Sequence, residues 1–203
     1  MTTNDSQPTK STVGNFNVSG INHLALVCHD MQRTVDFYSG VLGFPLVKTI
    51  ELPGDMGQHF FFDIGNGDCL AFFNFPNAPE PAPGIASPDP NTFFDPSAEL
   101  VTAVASMNHV AFNVDADEIE ALRDKLIDAG VRCTPILNHD DSARGIAREI
   151  HPGVFVRSVY FYDPDGIMLE FAAWTRAMRP DDVRHAPGKA ADKTADRVAA
   201  VAD

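Results

Sequence analysis

The chain has 203 residues and a formal net charge of -13, and because so acidic a surface repels nucleic-acid phosphates and anionic lipid, we expect neither nucleic acid nor a membrane as a partner. Its three cysteines lie far apart and form no CxxC pair, which argues against a disulfide framework and a cysteine-based zinc site. No apolar run is long enough to cross a bilayer, and the expected location is the cytoplasm.

The first half of the chain predicts a strand, a helix and three further strands. Asp30 follows an apolar run and is a credible N-cap for a helix that ends near Gly40, because glycine is favoured where helices stop. A Gly-Asn-Gly turn at 65–67 predicts a hairpin. The predicted strands are 21–28, 46–52, 59–64 and 68–75.

The same pattern recurs in the second half, 86 residues later when counted from His23 to His109. A helix is predicted over 115–129, where apolar residues recur at helical spacing before Gly130. The predicted strands here are 107–114, 131–137, 154–162 and 167–174. From this repeat we predict an α+β fold in which two βαβββ modules form a curved, cup-shaped mixed sheet with helices on the outside.

The repeat also sets the domain boundaries. We predict a flexible N-terminus over 1–17, a first module over 18–75, a proline-rich insertion over 76–106, a second module over 107–175 and a C-terminal tail over 176–203. Seven prolines from Pro76 to Pro96 prevent a regular helix or inner strand in the insertion. Phe93 and Phe94 indicate that it packs somewhere, and both a lid over a pocket and a solvated linker stay open.

A carboxylate interrupts the last predicted strand at Glu170. Burying it costs free energy unless a cation or a hydrogen-bond network receives it. If the loop of the last hairpin holds an odd number of residues, Tyr160, Met168 and Glu170 share one face of the sheet. That face is then polar, and His151 is a candidate for a nearby imidazole.

One histidine stands at the same position in the first strand of each repeat. His23 and His109 each share a strand face with small residues, opposite a bulky apolar face that suits a covering helix. Two such sheets curving together bring both histidines and Glu170 into one concave surface. Two imidazoles and one carboxylate leave positions open on a metal and suit Fe2+ in enzymes that activate oxygen, although a lone histidine on a strand is more often a core residue.

The chain resembles the vicinal oxygen chelate superfamily, which includes glyoxalase I, methylmalonyl-CoA epimerase, fosfomycin and bleomycin resistance proteins, and type I extradiol dioxygenases. The opening module of that superfamily is similar to NHLALVCHDMQRTVDFYSGVLGF at 22–44, and its second-module strands are similar to NHVAFNV at 108–114 and DPDGIMLEF at 163–171. The resemblance runs from about Gly20 to Trp174 without the insertion. It implies a cup-shaped metal site and, as an expectation, a homodimer.

The number of ligands separates activities within that superfamily. Aligning the two hairpin turns places Ala71 opposite Glu170, and alanine cannot bind a metal. The remaining set, His23, His109 and Glu170, resembles the ligand set of the type I extradiol dioxygenases. His151 and Tyr160 also precede Glu170 at spacings that resemble that family.

By this resemblance the protein would be a dioxygenase that holds Fe2+, with Mn2+, Zn2+ or Ni2+ as alternatives, and cleaves a small aromatic diol with O2. Tyr160 would donate a hydrogen bond to a substrate oxygen, and His151 would stabilise developing negative charge. The acid–base histidine of many extradiol enzymes is absent. Asp68 is the nearest match, although a turn role is the simpler explanation for it, and His59 is a possible substitute.

Two other functions stay open on the sequence alone. One is a metal-dependent lyase or isomerase of the glyoxalase or epimerase kind, in which the metal stabilises an enediolate. That reaction needs a base, and Ala71 removes the usual one. The other is a metal-free binding protein of the bleomycin-resistance type, in which His23, His109 and Glu170 would have no reason to converge.

Overall fold

The computed structural model describes residues 12–16, 18–82, 95, 97 and 102–188, and the expectations for Phe93, Phe94 and residues 189–203 lie outside them. The strands are β1 His23–Val27, β2 Leu46–Glu51, β3 Gln58–Asp63, β4 Cys69–Asn74, β5 Val110–Asn113, β6 Leu137–His139, β7 Ile146–Ala147, β8 Val156–Tyr162 and β9 Met168–Trp174. The helices are α1 Met31–Val35, which continues as a π-helical turn over Asp36–Val41, a short 3-10 turn Pro53–Asp55, and α2 Ile119–Asp128. None of the helices in these ranges could span a bilayer.

The strands form two sheets, one of four strands in the order β1-β4-β3-β2 and one of five in the order β5-β9-β8-β6-β7. Each sheet opens with a parallel pair, β1 with β4 and β5 with β9, and its other pairs are antiparallel. The predicted α+β class is confirmed. Each module forms one of the two sheets, and within the described residues the outer edges of β1 and β5 pair with no other strand.

The predicted caps and breaks are partly confirmed. Asp30 caps α1, since its Oδ1 accepts a hydrogen bond from the backbone N–H of Arg33 at 3.1 Å. The helical segment passes Gly40 and stops before Gly43, whose φ of 76° is favourable for glycine. Gly130, with a φ of 78°, follows α2 as expected, although α2 begins at Ile119 and not at residue 115.

The predicted strand over 131–137 is wrong for most of its length. β6 begins only at Leu137, and before it Cys133 makes an isolated bridge to Phe161. Pro135 has no N–H to donate to a ladder. Instead, the side-chain oxygen of Thr134 accepts the backbone N–H of Tyr160 at 3.0 Å. The two-residue strand β7 was not predicted.

The register of the last hairpin confirms the predicted faces. Tyr160 pairs with Glu170, and the loop 163–167 that joins β8 to β9 has five residues, an odd number. Glu170 lies beside Ala111 of β5, and Ala71 lies beside Ala25 of β1 in the same parallel arrangement. Ala71 therefore occupies in the first sheet the position that Glu170 occupies in the second.

One apolar core serves both modules, because the bulky faces of the two sheets and the inner sides of the helices contribute to a single cluster. Tyr38 is fully buried in it and packs on Phe72 with ring centroids 4.8 Å apart. Across the modules, Phe44 contacts the edge of Phe112 at 5.2 Å. The fully buried members with the largest side chains are Tyr38, Phe62, Phe72, Phe161, Leu70, Ile119 and Leu169.

A polar contact also joins the modules at the turn between β8 and β9. The Asp163 carboxylate accepts the Tyr38 hydroxyl at 3.1 Å and the backbone N–H groups of Asp165 and Ile167 at 2.9 and 2.8 Å. The Asp165 carboxylate accepts the backbone N–H of His29 at 2.9 Å. Burial raises the pKa of Asp163 to about 6, although its backbone hydrogen bonds act in the opposite direction.

This raised pKa predicts a pH-dependent stability. In the unfolded chain the Asp163 pKa returns to its ordinary value of 3.8, so the folded state binds the proton more tightly and loses stability as pH rises from about 4 to about 6. Asp163→Asn removes this titration. Between pH 4 and pH 7, the free energy of unfolding of the wild type should fall by up to about 3 kcal/mol relative to the variant.

Urea unfolding followed by circular dichroism across that pH range measures the difference. Asp68→Asn is the matched control, because Asp68 lies in the corresponding hairpin turn of the first sheet. Parallel pH curves for the wild type and Asp163→Asn would contradict the prediction.

Candidate functional site

Each module begins with an Asn-His pair, and the structure gives both pairs the same hydrogen bond. His23 Nδ1 lies 2.8 Å from Asn22 Oδ1, and His109 Nδ1 lies 2.6 Å from Asn108 Oδ1. An amide oxygen only accepts, so Nδ1 of each ring carries a proton and donates a hydrogen bond to the asparagine, which leaves Nε2 for another partner. Partners of this kind orient metal-binding histidines. Sequence reasoning missed both asparagines, although the repeated dipeptide was a signal for them.

An aromatic ring stands edge-on to each of these histidines. Phe61 contacts His23 with centroids 5.7 Å apart, and Tyr160 contacts His109 at 5.6 Å. Phe61 and Tyr160 occupy the same register position in their hairpins. The two sheets thus differ at this face. The first carries Phe61 and Ala71 at the positions where the second carries the phenol of Tyr160 and the carboxylate of Glu170.

The second sheet brings an imidazole and a carboxylate into direct contact. His109 Nε2 lies 2.9 Å from Glu170 Oε2, and Glu170 is only 5 % exposed. Burial acts to raise the pKa of Glu170, but hydrogen bonding from His109 and Ser158 outweighs it and holds the pKa below its usual range. Glu170 is therefore ionised at neutral pH. A carboxylate oxygen and an imidazole nitrogen facing each other are both donors that divalent first-row metals accept.

Two hydroxyl groups adjoin this pair on the same sheet face. Burial, and then the charge of Glu170, raise the pKa of Tyr160 to about 12, so its phenol stays protonated at neutral pH and can donate a hydrogen bond. The Ser158 hydroxyl is fully buried and close enough to lower the pKa of both neighbours, although it reaches full hydrogen-bond geometry with neither. Ser158 was not singled out from the sequence.

The three predicted metal ligands do not all meet in one chain. The described residues contain no group of three His, Cys, Asp or Glu side chains placed to hold a metal ion. His109 and Glu170 are together, but His23 lies on β1, in the other sheet, with its side chain exposed. His109 and Glu170 lie in the second sheet and His23 in the first, so a metal site that holds all three stays a prediction.

His151 has an aspartate partner, and its role at the substrate stays a prediction. Its Nε2 lies 3.1 Å from Asp140 Oδ2, and its Nδ1 accepts the backbone N–H of Gly153 at 3.1 Å. It lies in the loop before β8, and the hydrogen bond from the N–H of Phe155 to the carbonyl of His139 holds this loop to β6. The observed partner of His151 is thus an aspartate after β6.

His59 and Asp68, the two residues predicted as acid–base substitutes, have other hydrogen-bond partners in the structure. His59 is buried in the first sheet, where its Nδ1 lies 3.1 Å from the carbonyl oxygen of Phe72 and its ring stacks on Phe73 at 3.6 Å. Asp68 lies in the turn before β4, and its backbone N–H donates to the Gly65 carbonyl at 2.9 Å. The turn role considered for Asp68 is therefore observed.

An imidazole that the sequence analysis passed over shares the polar face of the second sheet. His139 pairs with Val156 of β8, two positions in the ladder from the Leu137–Ser158 pair, and so lies on the same face as both. Its imidazole is one of the groups that act to lower the pKa of Glu170. The signal available in the sequence was a third Asn-His pair, at 138–139.

Comparison with known proteins assigns the family. Residues 20–171 match the family described as the Glyoxalase/Bleomycin resistance protein/Dioxygenase superfamily. The chain belongs to this superfamily. The expected superfamily is thus confirmed, while a particular closeness to type I extradiol dioxygenases stays a prediction.

Individual members of the superfamily have low sequence identity to this chain. The metallothiol transferase FosB of Shouchella clausii (strain KSM-K16) is 26 % identical over 163 residues, which cover 80 % of this chain and 85 % of that protein. Glyoxylase I 4 of Arabidopsis thaliana is 25 % identical over 162 residues, covering 79 % and 75 %. The crystal structure of the glyoxalase family protein from Enterococcus faecalis has a TM-score of 0.52 and 24 % identity, covering 75 % and 96 %, and supports the fold.

The hydrogen bond from His109 to Asn108 gives a testable consequence for metal binding. Asn108→Ala should weaken Mn2+ binding by about ten- to 100-fold, because an imidazole without this partner is no longer held with Nε2 toward Glu170. Titration calorimetry measures the affinity. Asn113→Ala, at an exposed position of β5, is the control and should bind Mn2+ as the wild type does. Equal affinities for the two variants would show that Asn108 has no such role.

Proposed function

We propose that this protein is a metal-dependent enzyme of the transferase or lyase kind, which binds a small substrate through oxygen atoms at a divalent metal. The observation that carries the proposal is the contact between His109 Nε2 and Glu170 Oε2 at 2.9 Å, with the tautomer of His109 set by Asn108. A buried carboxylate facing Nε2 of a histidine is a costly arrangement unless a proton or a cation lies between them.

The residues present fit a divalent metal. His109 and Glu170 supply two donors, and His23 of a second copy supplies the third with the same Asn-His hydrogen bond. Bound there, the metal supplies Lewis-acid polarisation of a substrate oxygen. Mn2+, Zn2+ and Ni2+ serve such chemistry as well as Fe2+, since no electron transfer to oxygen is required.

The neighbouring side chains have definite tasks in this proposal. Tyr160, whose pKa is about 12, keeps its proton and donates a hydrogen bond to a substrate oxygen. Glu170 remains ionised and supplies the negative charge that retains the metal. Ser158 lies beside both and is shielded from water, so its hydroxyl is a further contact for substrate.

The identity of Ala71 favours a transferase over a glyoxalase-type isomerase. That residue is fully buried and takes the place in the first sheet that Glu170 takes in the second. Moving a proton between carbon atoms needs a base at the substrate, and a methyl group cannot act as one. Transfer of a thiol to an activated carbon needs no base at this position, and one relative is named a metallothiol transferase.

Extradiol cleavage of a small aromatic diol with Fe2+ and O2 remains the second proposal. The spacing of Tyr160 and Glu170 supports it, and Tyr160 does pair with Glu170 in the sheet. The observed pairing of His151 with Asp140 gives it less support, because that histidine was expected to act on the substrate. The relatives compared above are named for transferase and glyoxylase activities.

We further propose that the functional unit is a homodimer in which β1 of one copy meets β5 of the other. Both strands have an outer edge that pairs with no described strand. An unpaired strand edge exposes N–H and C=O groups that pair readily with another chain. Apolar side chains are exposed along β1, with Ile21 63 % and Val27 49 % exposed. This assembly places His23 beside the His109–Glu170 pair of the partner.

Metal content of mixed dimers tests the shared site. In a heterodimer of a His23→Ala chain and a Glu170→Gln chain, one site lacks both ligands and the other is intact. Heterodimers isolated with two different affinity tags should therefore hold about half the Mn2+ of the wild type, whereas each variant alone should hold almost none. As a control, a His29→Ala chain replaces the His23→Ala chain, because His29 is an exposed histidine nearby. No recovery of metal in the heterodimer would refute a site shared between copies.

Oxygen uptake separates the two proposed reactions. Protein loaded with Fe2+ without air should consume no oxygen when a panel of catechols is added, because the proposed transferase uses the metal only to polarise a substrate. An oxygen electrode makes the measurement, and Tyr160→Phe is the matched variant. Rapid uptake that Tyr160→Phe abolishes would replace the transferase proposal with extradiol cleavage.

A further inference from the structure

We propose that Thr102 is a positioning residue for the metal-binding imidazole of His109, which it holds in place through the side-chain amide of Asn108. Thr102 lies in the last part of the predicted proline-rich insertion, a segment that has no task in the proposed function. The inference rests on the proposed function, because it takes His109 to be a metal ligand.

One amide group bridges the threonine and the histidine. Asn108 Nδ2 donates to Thr102 Oγ1 at 2.9 Å, and Asn108 Oδ1 accepts from His109 Nδ1 at 2.6 Å. His109 Nε2 in turn lies 2.9 Å from Glu170 Oε2. A chain of hydrogen-bonding groups therefore runs from the end of the insertion to the carboxylate of the proposed metal site.

The amide of Asn108 needs a second partner to hold the imidazole in one orientation. Asn108 is exposed, so water competes for its polar atoms. The terminal torsion of an asparagine side chain has a broad energy minimum, and a single hydrogen bond at Oδ1 leaves the amide free to turn. The bond to Thr102 fixes the other end of the same planar group. The Thr102 hydroxyl thereby limits the directions in which Asn108 can hold the ring of His109.

A tight turn brings Thr102 back to Asn108. The Ala103 carbonyl accepts both the backbone N–H of Ser106 at 3.2 Å and the Ser106 hydroxyl at 2.6 Å. Ala105 lies inside this turn with a φ of 70°, a conformation that residues other than glycine adopt rarely. The hydrogen bonds of the turn hold the backbone in this less favourable conformation, and the turn places the Thr102 hydroxyl at the amide of Asn108.

The first module carries a phenylalanine at the spacing of this threonine. His23 donates to Asn22 at 2.8 Å. Six positions before Asn22 stands Phe16, which is 91 % exposed and has no hydroxyl to accept an amide N–H. Thr102 stands six positions before Asn108. His23 therefore serves as the internal control for any change at the second histidine.

The Mn2+ affinity of two full-length variants tests the hydroxyl. Thr102→Val keeps the shape of the side chain but removes the hydroxyl, and it should weaken Mn2+ binding by about two- to tenfold, the range of one hydrogen bond. Thr102→Ser keeps the hydroxyl and should bind Mn2+ as the wild type does. Titration calorimetry measures both affinities. Equal losses in the two variants, or no loss in Thr102→Val, would overturn the proposal.

A double variant separates positioning through Asn108 from any other effect of the threonine. Once Asn108 is replaced, the Thr102 hydroxyl has no amide to hold. Thr102→Val should therefore cause no further loss of Mn2+ affinity in the Asn108→Ala background. Losses that add in the double variant would show that the threonine acts by another route, which refutes the proposal.

A spectroscopic measurement on the metal-free protein makes the test independent of the metal. In the wild type, the bond to Asn108 should protect the Nδ1 proton of His109 from exchange with water. Thr102→Val should speed this exchange, so the proton signal weakens or is lost in nitrogen-15-resolved spectra, while the Nδ1 proton of His23 is unchanged. An unaltered His109 signal in Thr102→Val, or equal weakening at His23, would contradict the proposal.

The two proposals fail in different ways. A wild type that binds no Mn2+ refutes the proposed function, whereas the exchange measurement still decides whether Thr102 holds the imidazole of His109. A Thr102→Val protein that binds Mn2+ as tightly as the wild type refutes the role of Thr102 and leaves the metal centre standing.

Discussion

The contact between His109 and Glu170 is the interaction on which the site depends. A carboxylate that is 5 % exposed in an apolar strand survives there because hydrogen-bonding neighbours hold it ionised. Asn108 sets the tautomer of the imidazole, and the parallel pairing of β5 with β9 sets its distance from the carboxylate. The chemistry proposed for the protein follows from this one pair, since both atoms are donors for a divalent metal.

The repeat explains why only one module carries such a pair. Both sheets hold a histidine with an asparagine partner and an edge-on aromatic ring. In the first sheet the ring is Phe61 and the residue at the position of Glu170 is Ala71, so the first sheet can offer a single ligand but no carboxylate. In the proposed site shared between two copies, His23 would supply the further ligand. The strands β1 and β5, whose outer edges pair with no other described strand, are where we propose that the copies meet.

The two modules are nevertheless joined within the chain. Their bulky sheet faces share one core, and the turn of the last hairpin is tied to the first module by the hydrogen bond from Tyr38 to Asp163. That turn leads into β9, which carries Glu170, so the contact that joins the modules also positions the carboxylate. His139 and Ser158 lie on the same polar face of the second sheet as Glu170.

Local patterns in the sequence predicted most of the strands and helices in order, the helix cap at Asp30 and the odd hairpin loop that places Tyr160 with Glu170, because each depends on periodicity or turn chemistry over a few residues. The superfamily was indicated by the resemblance of longer stretches of the sequence. Tertiary structure alone decided which strand edges pair, and so which histidine meets Glu170. It also decided that His151 pairs with Asp140 and that His139 faces the site. Those contacts join residues from different strands and loops, and a local pattern carries no information about the distance between two such segments.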